Sequence, residues 1–219
     1  MTGKQATILG CAVIGVALLM AVGGRHAGAT SEHPRIFGSI EVRSSKLQKF
    51  RKWNGVIARY ESDTLSVRKN CRVTKRNRCA MVQWRAFLKN IAGLPRRAQV
   101  EKVNRYLNKL IYIVDPVNYG KRDYWATPKQ FFNRNGDCED YAIAKYISLR
   151  KLGFRIDDMR IVVLNDLNLK IAHAVLVVYL DGEALILDNQ IAQVINAKRI
   201  RHYKPIYSIN ERNWWLHRS

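Results

Sequence analysis

Asp181-Gly182 divides two apolar runs, residues 171–180 and 184–190. This dipeptide between strand-like segments is the strongest short-range hairpin signal, because a type I′ turn needs positive φ at both central positions. A two-residue turn also sets the register of its strands. Leu180 then faces Glu183, Val175 faces Asp188 and His173 faces Gln190. Side chains alternate along a strand, so His173 and Val175 share a face. His173 and Asp188 become diagonal neighbours on it, roughly 7–8 Å apart at the backbone, within reach of a carboxylate–imidazole bond. A one-residue slip would put them on opposite faces. The rest of the row is apolar: Ile171, Val175 and Val177. A lone histidine there is more often a core residue satisfied by one hydrogen bond; a carboxylate on the same face argues for more.

A third group lies upstream. Asn135-Gly136-Asp137-Cys138-Glu139-Asp140-Tyr141 opens a helix expected over 138–152 and stopped by Gly153. Asp137 suits the N-cap, and Asp140 sits three residues on in a capping-box-like place. Cys138 therefore falls in the first turn, where the positive end of the helix dipole favours thiolate. Its bland alternative is a small buried hydrophobe. Thiol, imidazole and carboxylate are the parts of a cysteine nucleophile with its base and orienter. The flanking acids Asp137, Glu139 and Asp140 conflict with that role, since nearby negative charge disfavours a thiolate. They are either capping groups or hard oxygen ligands for a cation such as calcium. Their spacing is not that of an EF-hand loop.

The 219 residues suffice for one domain with a real core. Apolar steps of three and four predict helices over 47–60, 81–91 and 100–111, and Thr127-Pro128 marks the start of a short one. Residues 30–45 read as a leader into the fold. Strands are expected over 160–165, 171–180, 184–190 and 206–209. Helices first and antiparallel strands later indicate an α+β fold. Lys4, the apolar stretch 8–22 and Ala27-Gly28-Ala29 read as a signal peptide over 1–29, with 30–219 as a single domain. An uncleaved membrane anchor is the alternative. Removing Lys4 and Arg25 lowers the formal net charge from +21 to +19, still strongly basic. Export and the lack of a nucleic-acid motif argue against a nucleic-acid partner, so the charge is read as a solvated face or a site for something acidic. Cys71 and Cys79 could pair as a local disulfide in an oxidising compartment, which leaves Cys138 as a lone thiol.

Trp125-Ala126-Thr127-Pro128, Gly136-Asp137-Cys138-Glu139-Asp140-Tyr141-Ala142, Ala172-His173-Ala174-Val175-Leu176 and Leu187-Asp188-Asn189 resemble the bacterial transglutaminase-like cysteine peptidases, in particular their periplasmic adhesin-processing members. The resemblance covers roughly residues 47–210. It implies a papain/transglutaminase-like fold, with N-terminal helices and a nucleophile helix packed on an antiparallel sheet. Cys138 would be the nucleophile, His173 the base and Asp188 the orienter. It also implies calcium, held by Asp137, Glu139 and Asp140. The implied substrate is the N-terminal region of a large surface adhesin, cut beside a pair of small residues so that the biofilm disperses. The implied inhibitor is an inner-membrane cyclic-di-GMP receptor, and a periplasmic monomer is expected. Two other functions compete: a transglutaminase-type acyl transferase, and a non-catalytic module that binds through the basic surface.

Overall fold

The computed structural model of the chain describes residues 33–66 and 79–218. The expected signal peptide and Cys71 lie outside the described residues. Cys79 is disulfide-bonded and Cys138 is a free thiol. Among the described residues, no helix is long and apolar enough to cross a membrane.

The helices are α1 (Arg51–Ser66), α2 (Ala80–Ile91), α3 (Arg96–Leu107), α4 (Asp115–Tyr119), α5 (Pro128–Arg134) and α6 (Cys138–Lys151). The strands are β1 (Ile40–Ser44), β2 (Met159–Asp166), β3 (Ile171–Leu180), β4 (Glu183–Leu187), β5 (Ile195–Asn196), β6 (Tyr203–Ile209) and β7 (Trp214–Arg218). They form one antiparallel sheet in the order β1-β7-β6-β2-β3-β4-β5. This is the α+β arrangement expected.

Helix α6 is the centre of the molecule. Every residue from Glu139 to Leu149 is buried, so it lacks the one-sided apolar stripe of a surface helix. It packs on β3 and β2 and is enclosed by α3 and α5. Two aromatic anchors tie the outer helices to this core. The Trp84 indole of α2 donates to Ser148 Oγ at 2.9 Å, and the Trp53 indole of α1 donates to the Asn210 carbonyl at 3.1 Å. Each buries a large apolar area while its N–H stays satisfied.

The sheet has a core on each face. Leu176, Val178, Leu185 and Leu187 join the helix-side core, whereas Val175, Val177, Ala184 and Ile186 join a smaller one with Ile36, Ile200 and Tyr203. The hairpin has the expected register: Leu180 faces Glu183 and Leu176 faces Leu187. Asp181 and Gly182 have φ of 51° and 76°, as a type I′ turn requires.

Several boundaries differ from expectation. The supposed leader contains β1, which pairs with β7 at the sheet edge; its Ile-Glu-Val-Arg sequence alternates, but Ile40 and Val42 are exposed, so the alternation marks no buried face. Helix α3 ends at Leu107, and the chain then turns so that the Ile113 N–H bonds the Gly136 carbonyl at 2.9 Å. Strand β4 stops at Leu187 because Asp188 Oδ1 takes the Gln190 N–H at 2.9 Å, a side-chain bond that competes with the ladder. Strand β6 begins at Tyr203, earlier than its apolar residues indicate.

The turn can be tested directly. A Cβ at Gly182 would meet no atom within 4 Å, so Gly182→Ala pays only the left-handed torsional cost, about 1–2 kcal/mol. Urea denaturation should show that loss without a change in m-value.

Candidate active site

The hairpin brings His173 and Asp188 together as its parity requires. Asp188 Oδ1 accepts from His173 Nε2 at 3.0 Å, and both side chains are buried. Tyr203 donates its hydroxyl to Asp188 Oδ2 at 2.6 Å, and its ring meets the imidazole edge-to-face at 5.8 Å. The side-chain amide of Asn108, the residue that caps the C-terminus of α3, donates to the Asp188 carbonyl at 2.7 Å. Burial acts to raise the Asp188 pKa, but the hydrogen bond and charge of His173 and the Tyr203 bond outweigh it, and the net shift is downward. An ionised Asp188 only accepts, so Nε2 carries the proton and Nδ1 is left with its lone pair. The pair lies on the second-core face of β3, among Val175, Val177 and Tyr203. The Asp188 charge also acts on buried Lys145 of α6: burial pushes its ammonium down to about 7 against the pull of that carboxylate. Neither Tyr203 nor Lys145 was legible, since tyrosine and lysine at those spacings carry no motif.

Cys138 is the first residue of α6 and is half-buried. Its thiol donates to Glu139 Oε2 at 3.2 Å rather than to the imidazole. Burial pushes the thiol pKa well up, followed by the charge and hydrogen bond of Glu139 and the charge of Asp137; the backbone N–H of Ala174, the residue after His173, works the other way. The sulfur thus lies against β3 at the Ala174 N–H, in an anionic field that favours the protonated thiol.

Asp137 takes the N-cap position but its side chain makes no capping bond. Asp140 does not complete a capping box either. Both carboxylates turn instead into an acidic cluster. Asp137 Oδ2 accepts the Asp115 N–H at 3.3 Å, and Asp140 Oδ1 accepts the Ala126 N–H at 2.7 Å. Asp115 Oδ2 accepts the Tyr124 N–H. One oxygen on each of the three, Asp115 Oδ1, Asp137 Oδ1 and Asp140 Oδ2, is buried with no hydrogen-bond partner. Ligand atoms of Asp115, Asp137 and Asp140 lie within 4.8 Å of one another, as do those of Asp115, Asp123 and Glu139. Orphaned hard oxygens at that separation fit a calcium-type cation. The expected set of Asp137, Glu139 and Asp140 is therefore amended: Asp115 belongs with Asp137 and Asp140, and Glu139 groups with Asp115 and Asp123. Asp115 lies 22 residues before Asp137 with no acidic motif around it, and its one sequence signal is an Asp-Pro step breaking an apolar stretch. Gly136 is dictated by the same cluster, since a Cβ there would lie 2.0 Å from Asp140 Oδ2.

A profile of the bacterial transglutaminase-like cysteine proteinases matches residues 66–217. The chain belongs to this family. LapG of Legionella pneumophila has a similar structure, with 32% identity and a TM-score of 0.60 over 73% of this chain and 87% of that one. The calcium-bound form of LapG gives the same values. Its EGTA-treated form matches with 32% identity and a TM-score of 0.60, over 73% of this chain and 84% of that one. No curated protein matches. The family and these structures agree with the papain/transglutaminase-like fold and make the chain a cysteine protease.

Without a cation, burial and mutual repulsion raise the carboxyls of the cluster, Glu139 to about 9 and Asp140 to about 8, from 4.5 and 3.8. Folded values above unfolded ones mean stability present at low pH and lost as pH climbs. In EGTA, the melting temperature should fall steadily between about pH 4 and 9. Thermal scans that are flat over that window would disprove the cluster's cost. Gly136→Ala should lower the melting temperature further by displacing Asp140.

Proposed function

We propose that this chain is a periplasmic, calcium-dependent cysteine endopeptidase that cleaves the N-terminal region of a large surface adhesin and so governs biofilm release. The observation that carries the protease chemistry is the His173–Asp188 bond through Nε2, which leaves Nδ1 as the basic atom on the strand against which Cys138 is packed. Family membership and the similarity to LapG support the reaction class.

In this reading Nδ1 of His173 takes the Cys138 proton, and Asp188 keeps the proton on Nε2 throughout. The sulfur adds to the scissile carbonyl carbon, and the carbonyl oxygen becomes an oxyanion facing the Cys138 backbone N–H at the head of α6. Collapse breaks the C–N bond, and the leaving amine receives the imidazolium proton. Water, deprotonated by the same imidazole, hydrolyses the thioester and returns the thiol.

Asp115, Asp137 and Asp140 would hold calcium through their unpartnered oxygens, with Glu139 beside them. When bound it supplies the positive charge that offsets the carboxylate field now raising the Cys138 pKa. The calcium-bound and EGTA-treated forms of LapG support this assignment. The inhibitory partner in this reading is an inner-membrane cyclic-di-GMP receptor that sequesters the protease, and the signal peptide directs it to the periplasm.

The decisive experiment incubates the protein with an N-terminal fragment of a large adhesin from the same genome. Wild type should yield two peptides, and Cys138→Ala none while melting normally. Glutamine–lysine cross-links in place of new termini would mark an acyl transferase. EGTA should abolish cleavage and added calcium restore it. Asp115→Asn should raise the calcium concentration giving half-maximal activity by more than about 10-fold; an unchanged requirement would remove Asp115 from the site.

A further inference from the structure

Tyr112 is an aromatic residue held rigidly in an exposed position. It is 49% exposed, yet the backbone around it is tied down on several sides. Tyr112 bridges to Gly136 in a parallel pairing. On one side the Ile113 N–H bonds the Gly136 carbonyl at 2.9 Å, and on the other the Ile111 N–H bonds Asn135 Oδ1 at 3.2 Å. The Tyr141 hydroxyl donates to the Leu110 carbonyl at 2.5 Å. Tyr141 lies one turn after Cys138 on α6, and its ring runs nearly parallel to that of Tyr112, 17° apart in plane with centroids at 6.5 Å. Tyr112 is thereby fixed between the loop that precedes the nucleophile and the first turn that carries it.

No structural need explains this. The side chain fills neither core, and its hydroxyl makes no hydrogen bond to the described residues. A tyrosine phenol is neutral at pH 7, and Cys138, Asp137, Glu139 and Asp115 are the groups whose charges act on it, so it is a neutral donor in the surroundings of the thiol. Its carboxylate neighbours, once ionised, can only accept. A donor fixed in place before the reaction is the element an acyl-transfer site needs where negative charge develops.

We propose that the Tyr112 hydroxyl is a second oxyanion donor, facing the carbonyl oxygen of the peptide bond that Cys138 attacks, together with the Cys138 backbone N–H. This rests on the protease reading above. Tyr112 is then a catalytic residue: as the C–S bond forms and the carbonyl π electrons move to oxygen, the O–H shortens its hydrogen bond to that oxygen without giving up its proton.

Tyr112→Phe tests it, because it keeps the ring and removes only the O–H. Cleavage of the adhesin fragment should show kcat reduced by about 10²–10³-fold with KM little changed. Affinity for a peptide aldehyde, which adds the thiol and creates a tetrahedral oxygen, should fall in parallel. Alkylation of Cys138 by iodoacetamide should keep its wild-type rate, since that displacement develops no oxyanion. Unchanged kcat and aldehyde affinity in Tyr112→Phe would overturn the proposal, including the case where only Tyr112→Ala raises KM and the ring is a substrate wall. A loss of alkylation matching the loss of cleavage would overturn it too, by assigning the hydroxyl to the thiol. Wild-type protein that neither cleaves the fragment nor binds the aldehyde would instead defeat the protease reading itself.

Discussion

The first turn of α6 is buried among carboxylates, and much of the surrounding structure follows from that. Asp115, Asp137, Glu139 and Asp140 come from two stretches of chain that must meet around one helix start. Burial alone raises each of their pKa values, and crowding raises them further. An arrangement of this kind is costly unless the charges are partnered. The Ala126 and Tyr124 N–H groups, the Asp115 N–H and the space left by Gly136 all serve to hold it. Asp137 and Asp140, placed where capping groups belong, are diverted from the helix to this cluster. Helix capping and the acidic cluster use the same side chains, and here the cluster prevails.

The second organising constraint is the tight turn at Asp181-Gly182. It fixes parity, and parity fixes which side of the sheet the imidazole–carboxylate pair occupies. Asp188 is then gripped through both oxygens and its carbonyl, by His173, Gln190, Tyr203 and Asn108. Such saturation explains how a buried carboxylate stays ionised and why the ring it orients has one defined tautomer. The thiol and the imidazole come from different elements: Cys138 on a helix, His173 on a strand whose next backbone N–H favours the thiolate.

What could be read from the chain follows the same division. Local chemistry was legible: the turn dipeptide, the Thr127 cap, which forms a full capping box with Gln130, and the bounds of α6 and β3. Properties set by distant partners were not. Tyr203 and Asp115 act at the site only because β6 and the segment before α4 are folded against it. Strand β1 is short and turns its apolar Ile40 and Val42 outward, so its alternation points to no core. Helix α6 was recognisable from its ends, since burial on all sides erases the amphipathic period that marks α2.

The pairing of β1 with β7 joins residues near opposite ends of the chain, Ile40 with Arg218. Such a contact forms late, because closing so large a loop costs entropy before it returns any. Without β7, β1 has no neighbour and β6 becomes the edge of the sheet. Loss of Trp214–Arg218 would therefore keep every residue of the proposed active site yet turn β6, an interior strand beside β7, into an edge open to other strands.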